Sequence, residues 1–253
     1  MKRAITSTMP NWAMVPTSGT RLKSYLVVGC KPWNRQLFDE LLSKLPGQWT
    51  YVDSPAMLTL DFAKKLAPRY IFFLHWSWKV PQQLVRQFEC VCFHMTDVPF
   101  GRGGSPLQNL IVRGHRQTKL TALGMTEEFD AGPVYGKEGL SLEGGAEEIY
   151  LRAGRLSARM IEGIVREEMT PVAQKGKAVK FKRRTPSESE VRNLVSLEEL
   201  YDFIRMLDAE GYPRAFLQHC GMRFEFSRPA LYDGRVVADV KITRIDAAQE
   251  KAK

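Results

Sequence analysis

Long apolar runs are missing from this chain. None approaches the roughly 18–20 residues that a bilayer span needs, so no transmembrane helix is expected. The opening Met-Lys-Arg is followed by Thr, Ser, Pro, Asn and Gly instead of the continuous apolar centre of a signal peptide. Residues 1–21 are therefore expected to form a mobile or surface-draped tail. Cysteine is scarce: Cys30, Cys90, Cys92 and Cys220 lack the spacing of a disulfide framework, and a chain of 253 residues does not need one. A reducing, cytoplasmic setting is the expectation. No internal repeat is visible. Acidic residues are outnumbered, with 28 Asp and Glu against 37 Lys and Arg, and the net charge of +9 points to an anionic partner such as nucleic acid, a membrane surface or a nucleotide. The basic excess is partly local, because Lys175, Lys177, Lys180, Lys182, Arg183 and Arg184 follow one another with no acid between. That tract reads equally as a solvated strand and linker or as a phosphate-contacting edge.

What is present is an alternation of strand-like and helix-like segments from residue 22 onward. Short apolar runs at 25–28, 49–52, 70–74 and 90–95 suit buried strands. Between them, 34–45 and 58–66 have helical spacing, and Pro81 stands at a first helical position before a segment ending at 88. A further helix is expected at 107–112, strands at 118–125 and 134–142, and a long helix over 146–168 with Ile149, Ala153, Leu156, Met160 and Ile164 as its apolar stripe. Near 170–190 the texture changes, and a helix at 196–207 capped by Ser196 precedes short strands over 216–245. This rhythm predicts an α/β fold: a Rossmann-like, mainly parallel sheet with helices on both faces over residues 22–180, and a small C-terminal α+β subdomain over 181–253. In such sheets ligands bind beyond the carboxyl ends of the strands.

The densest chemistry follows the fourth strand, in Cys92-Phe93-His94-Met95-Thr96-Asp97-Val98-Pro99-Phe100-Gly101-Arg102-Gly103-Gly104-Ser105-Pro106. A glycine-rich exit from a strand lets backbone approach a ligand, and Ser105 is placed to cap the next helix. The spacing is neither that of a P-loop nor that of a dinucleotide fingerprint. His94 lies on the expected ligand edge, although a lone histidine is more often simply packed. Asp130, before Ala131-Gly132-Pro133, sits in a second loop after a strand, where aspartate is often only a turn former. Cys90, Cys92 and His94 share one strand face, but no fourth ligand stands at a metal-site spacing, so no metal is expected.

Taken together, these segments resemble the folate-dependent formyltransferase family of methionyl-tRNA and amino-sugar N-formyltransferases. His94, Pro99, Arg102-Gly103, Ser105-Pro106 and Phe129-Asp130-Ala131-Gly132-Pro133 follow its landmarks in order. Phe181-Lys182-Arg183-Arg184-Thr185-Pro186 resembles its Arg-x-Pro junction, and Tyr212-Pro213-Arg214-Ala215-Phe216 its Tyr-Pro-Gly-Ala-Phe turn. The wording is closest to a divergent sugar-modifying branch related to peptide-synthetase formylation domains. One position departs: where the family carries the Asn of Asn-x-His, this chain has Cys92, whose thiol is a weak donor. Asn34, Asn109, a glycine-loop N–H or a water are the candidate replacements.

The resemblance implies transfer of a formyl group from 10-formyltetrahydrofolate to a primary amine, with His94 as donor or proton shuttle and Asp130 orienting it and helping to take the amine proton. It implies a folate site along Trp76, Ser77 and Trp78 and the loop 126–130, with Glu127, Phe129, Arg102 and Gly103. The acceptor site is expected at Lys31, Trp33, Thr96, Asp97, Lys182 and Arg183, with Lys31 reaching a phosphate and Trp33 stacking on a base or sugar. The leading acceptor is a nucleotide-linked amino sugar of the 4-amino-4,6-dideoxy type. Methionyl-tRNA or a peptide amine is the alternative, followed by a folate-binding protein without turnover. A homodimer is compatible with the sugar branch.

Overall fold

The computed structural model describes residues 22–245; the expected tail of residues 1–21 lies outside them. Alternation along the strands builds the layers. In β1 (Ser24–Gly29), Tyr25 and Val27 enter one core while Leu26 and Val28 enter another. After α1 (Pro32–Glu40), β2 (Gln48–Val52) pairs parallel with β1. α2 (Leu60–Leu66) starts at Thr59, whose hydroxyl accepts from Phe62 N–H at 3.1 Å, and leads into β3 (Tyr70–Leu74). β3 is buried along its whole length, which is why its five residues are apolar with no polar alternation. α3 (Gln82–Gln87) and β4 (Cys90–His94) complete the parallel part, in the order β2-β1-β3-β4. Residues 34–45 were expected to form one helix, but α1 ends at Glu40, Leu41 is exposed, and Leu42–Lys44 form a 3-10 turn.

A short β5 (Arg102–Gly103) and α4 (Pro106–Ile111) precede β6 (Gln117–Gly124) and β7 (Val134–Ser141). β6 and β7 extend the sheet to six strands, yet both run antiparallel to their neighbours. Between β6 and β7, residues 125–133 are fewer than the dozen or so that a parallel crossover needs, whereas the 95–116 connection out of β4 is long enough for one and still returns β6 antiparallel. α5 (Ala146–Glu167) packs beside α1 on one face of the sheet, and α2 and α3 lie over the other. The stripe expected on α5 faces inward: Ile149, Ala153, Leu156 and Ile164 are buried and Met160 is partly buried.

After β8 (Lys180–Phe181), α6 (Leu197–Arg205) precedes a three-stranded antiparallel sheet of β9 (Ala215–His219), β10 (Met222–Tyr232) and β11 (Arg235–Arg244). Ser196 caps α6, its hydroxyl accepting from Glu199 N–H at 3.1 Å. The change of texture near 170–190 does not divide the core. Phe203, Ile204, Met206 and Leu207 share one apolar cluster with Leu107, Ile149, Tyr150 and Phe181. Among the described residues, no helix is long and apolar enough to cross a membrane.

Candidate active site

His94 closes β4 and points to the face of the sheet covered by α3, the face that Cys90 and Cys92 also take. Asp130 reaches it by an indirect route. β6 runs antiparallel, so its end, Gly124, lies beside Val91 at the amino end of β4. The loop 125–130 must therefore double back along the sheet to bring Asp130 to the carboxyl edge. At its return, a Cβ on Gly132 would lie 1.7 Å from Gly124 O, so only glycine permits the approach. Asp130 itself takes a left-handed conformation, with φ of 55°.

The two side chains meet. His94 Nδ1 lies 3.5 Å from Asp130 Oδ1, and both groups are largely shielded from water. His94 Nε2 lies 2.8 Å from Gly101 O. A carbonyl only accepts, so Nε2 carries a hydrogen, and when Nδ1 carries none its lone pair faces the carboxylate. Two acceptors facing each other bind one proton well, and an amine between them would find a place for the hydrogen it loses. Asp130 is fixed by its surroundings: Oδ2 accepts from Gly103 N–H at 2.8 Å, and its backbone carbonyl accepts from Gln174 Nε2 at 2.8 Å. Gln174 also donates to Gly132 O at 2.8 Å, while its Oε1 accepts from Arg102 Nε at 3.1 Å and Nη2 at 2.7 Å. The segment 172–184 thus straps the glycine loop to the Asp130 loop, helped by the parallel pairing of β5 with β8.

Around the pair opens a cleft of about 550 Å³, lined among others by His75, Trp76, Ser77, Trp78, Phe129 and Arg183. A smaller slot of about 120 Å³ adjoins it at Lys79, Phe129 and Asp130 and is walled by Val80, Val85, Cys92, Leu123 and Met125. Of the residues expected on the folate side, Trp76, Ser77, Trp78, Gly103 and Phe129 line the cleft. Glu127 borders the slot and pairs with Arg86 at 2.5 Å. Arg102 does not reach the cleft wall; its guanidinium is spent on Gln174.

The acceptor expectations need more correction. Trp33 is only 8% exposed and packs near-parallel to Tyr150 at 6.1 Å, because α1 begins there and turns its first apolar residue into the core. It supports the wall and cannot stack on a ligand. Thr96 is fully buried, its hydroxyl donating to Gly101 O at 3.3 Å. Asp97 pairs with Lys137 at 2.5 Å and borders a different cavity with Phe100 and His115. Lys182 lies off the cleft wall, where its carbonyl accepts from Asn109 at 3.0 Å, whereas Arg183 faces the cleft. Lys31 Nζ sits 4.6 Å above the ring of Tyr212. Ser105 occupies the cap position of α4 but its hydroxyl accepts from Arg184 N–H at 3.0 Å instead of capping.

Two of the candidates to replace the family Asn have their donors committed: Asn109 Nδ2 donates to Gly104, Ser105 and Lys182 carbonyls, and Gly103 N–H serves Asp130. Asn34 Oδ1 accepts from Lys31 N–H at 3.2 Å, a contact that leaves its Nδ2 donor unengaged. Burial, with the Asp130 charge adding to it, raises the Cys92 pKa, so the thiol stays protonated. No group of His, Cys, Asp and Glu that could hold a metal ion occurs among the described residues.

Tyr150, Gln108 and Gln174 carry no motif and were not foreseen. Tyr150 stands on α5 beside its apolar stripe, and stacks on Tyr212 at 5.2 Å. Gln108 Nε2 donates to Tyr150 Oη at 3.1 Å and Met206 O at 3.0 Å. The Tyr212 hydroxyl bonds to His75 Nε2. Burial, reinforced by the nearby Lys31 ammonium, lowers the His75 pKa from 6.5 to about 4, so the ring meets Tyr212 as the neutral form.

Comparison with known proteins gives these features a common origin. A family model for the methionyl-tRNA formyltransferase C-terminal domain matches residues 186–243. The methionyl-tRNA formyltransferase of Wolinella succinogenes is 26% identical over 161 residues, which is 61% of this chain and 52% of the relative. The chain spans about half the length of the first curated relatives it matches, 45% and 52%. A solved methionyl-tRNA formyltransferase from Clostridium thermocellum is 42% identical, with 88% of this chain and all of that one covered at a TM-score of 0.84. A 4-N formyltransferase from Francisella tularensis shares the fold, at 18% identity and a TM-score of 0.62 over 87% of this chain and 97% of that one. The chain belongs to the formyltransferase family that includes the methionyl-tRNA formyltransferases.

Proposed function

We propose that the protein transfers a formyl group from 10-formyltetrahydrofolate to a primary amine on an anionic acceptor, with a nucleotide-linked amino sugar of the 4-amino-4,6-dideoxy type as the leading candidate. The observation that carries the reading is the His94–Asp130 pair, 3.5 Å apart at the junction of the cleft and the slot. The slot suits a flat heterocycle: Val80, Val85, Cys92, Leu123 and Met125 give it apolar walls, and Gln82 with residues 126–130 adds polar groups along its rim. Trp76 Nε1 is buried beside the cleft without a partner among the described residues, and Trp78 and Phe129 stand 49% and 71% exposed at its edge, open to an extended aromatic ligand. When bound, 10-formyltetrahydrofolate supplies the activated formyl group.

The chain's own residues then divide the work. Asp130 and the Nδ1 of His94 take the proton that the amine loses on attack. With that proton on Nδ1, the imidazolium is stabilised by Asp130 and can return it to the tetrahydrofolate nitrogen that leaves as its bond to the formyl carbon breaks. Gly101 O holds the ring through Nε2–H, Gly103 N–H holds the Asp130 carboxylate, and Gln174 holds the Asp130 backbone carbonyl. Lys79 and Arg183 at the cleft, with Lys31 beside it, favour a negatively charged acceptor, and Tyr150 and Tyr212 offer a wall against which a sugar can lie.

Methionyl-tRNA is the second reading, supported by the similarity to methionyl-tRNA formyltransferases and by the basic tract that runs from Lys175 to the cleft-facing Arg183. Incubation with 10-formyltetrahydrofolate and a panel of nucleotide amino sugars, scored by the mass gain of one formyl group, tests the first reading. Charged tRNA in the same assay tests the second, with binding expected to fall steeply between low and physiological salt. No formyl gain on any amine, with folate still bound, would leave only a binding protein.

A further inference from the structure

β3 breaks its own alternation where it leaves the sheet. Tyr70, Phe72 and Leu74 enter the core shared with α1 and α5, while Ile71 and Phe73 enter the one shared with α2 and α3. Carried on by two residues, the pattern would send His75 towards α2 and α3 and Trp76 towards α5. The structure reverses both. The His75 ring meets Tyr150 of α5 edge-on at 4.4 Å and Trp33 of α1 at 5.9 Å. Trp76 instead joins the cluster that holds Val80, Val85, Cys92 and Met125, all of them walls of the slot. His75 makes this exchange with a φ of 51°, a left-handed conformation that costs free energy for a residue with a Cβ. Such a conformation persists only where the surroundings hold it, and residues of this kind gather at ligand sites. Ser105 and Asp130, which line the same cleft, share it.

What holds His75 comes from distant parts of the chain. Its Nε2 is hydrogen-bonded to Tyr212 Oη, and its carbonyl accepts from the Cys30 thiol at 3.0 Å. Tyr212 stands between α6 and β9, its N–H donating to Ala209 O at 3.2 Å and its ring stacked on Tyr150. One hydroxyl of the C-terminal part thus grips the turn from which Trp76, Ser77 and Trp78 run along the cleft.

We propose that His75 is a positioning residue for the folate: held by Tyr212, its left-handed turn aims Trp76 and Trp78 at the bound folate, so the C-terminal part sets the affinity of the folate site. The inference rests on the reading that folate lies along residues 76–78 and in the slot. In this role Tyr212 acts on the folate through His75, and His75 acts through the direction it gives to Trp76.

Calorimetric titration with tetrahydrofolate, which carries no formyl group and needs no acceptor, tests it on the parent, Tyr212→Phe, His75→Ala, the double variant and His75→Asn. Tyr212→Phe removes one oxygen and keeps the stacked ring, and it is expected to weaken binding about threefold to thirtyfold, within the range of coupling between groups in contact. His75→Ala is expected to weaken binding at least as much. The double variant should bind no worse than His75→Ala alone, because both changes cut the same link. His75→Asn should bind more tightly than His75→Ala, since asparagine adopts the left-handed region more readily than alanine. A purely structural link would lower the melting temperature of Tyr212→Phe and leave its affinity at the parent value, and that result overturns the proposal. So does a double variant in which the two losses multiply, which would make each ring a separate folate contact. A parent chain that binds no tetrahydrofolate would instead overturn the folate reading, and this inference with it.

Discussion

At the residue scale the chemistry rests on how protons are held. His94 is tied through Nε2–H to Gly101 O, which leaves Nδ1 as its only reactive nitrogen. His94→Ala removes the proton acceptor and is expected to lower kcat by about 10²–10⁴-fold, the usual share of general base catalysis. Single-turnover rates close to those of the parent would remove His94 from the mechanism. Gln174 positions the Asp130 loop through the carbonyls of Asp130 and Gly132 and ties it to Arg102, so Gln174→Ala should reduce kcat by roughly tenfold to a hundredfold while folate affinity, measured by titration, stays near the parent value. Equal loss in both would make it a ligand contact instead. His75 supplies a pH signature. Its folded pKa, about 4, lies below the unfolded 6.5, so the unfolded chain binds more protons between these values. The neutral ring therefore contributes stability that is complete above pH 6.5 and is lost as pH falls towards 4, on the order of 3 kcal/mol in all. Urea midpoints of the parent and His75→Gln should converge as pH is lowered through that window. A gap that does not change with pH would refute the assignment.

At the element scale, α6 is the joint between the C-terminal sheet and the rest. Ile204 is 1% exposed and belongs to the cluster that contains Leu107, Ile149 and Tyr150 from α4 and α5. Ile204→Ala is expected to cost about 2–5 kcal/mol, measurable by chemical denaturation. Next to it, Arg205 is buried, with Nε donating to Asp202 at 2.6 Å and Nη1 to the carbonyls of Leu142 and Gly144 at 2.6 and 2.8 Å. That guanidinium ties α6 to the turn before α5. Charge in this position orients the helix, whereas apolar contact supplies the larger share of the burial.

At the scale of the whole molecule, the shared cluster makes the chain one cooperative unit despite its two sheets. A calorimetric scan should give a single transition whose calorimetric and van't Hoff enthalpies agree. Two resolved transitions would mean that the C-terminal sheet unfolds by itself, contrary to the continuity of Phe181, Phe203 and Ile204 with α5. The same continuity links reaction and architecture. The strap at 172–184 pairs with the glycine loop, orients Asp130 through Gln174 and sends Arg183 to the cleft on its way to α6.

By itself the sequence determined what local periodicity and spacing encode: the buried parallel strands, the inward stripe of α5, the Ser196 cap, and His94 at the end of β4. These are short-range properties, decided by side-chain size and backbone preference within a few residues. Only the tertiary structure decided that β6 turns antiparallel, that the Asp130 loop doubles back to meet His94, that Trp33 is a wall instead of a contact, and that Tyr150 and Gln174 belong to the site. Those outcomes depend on which distant surfaces dock, and the burial that selects among them is a sum over contacts from the whole chain that no single segment records.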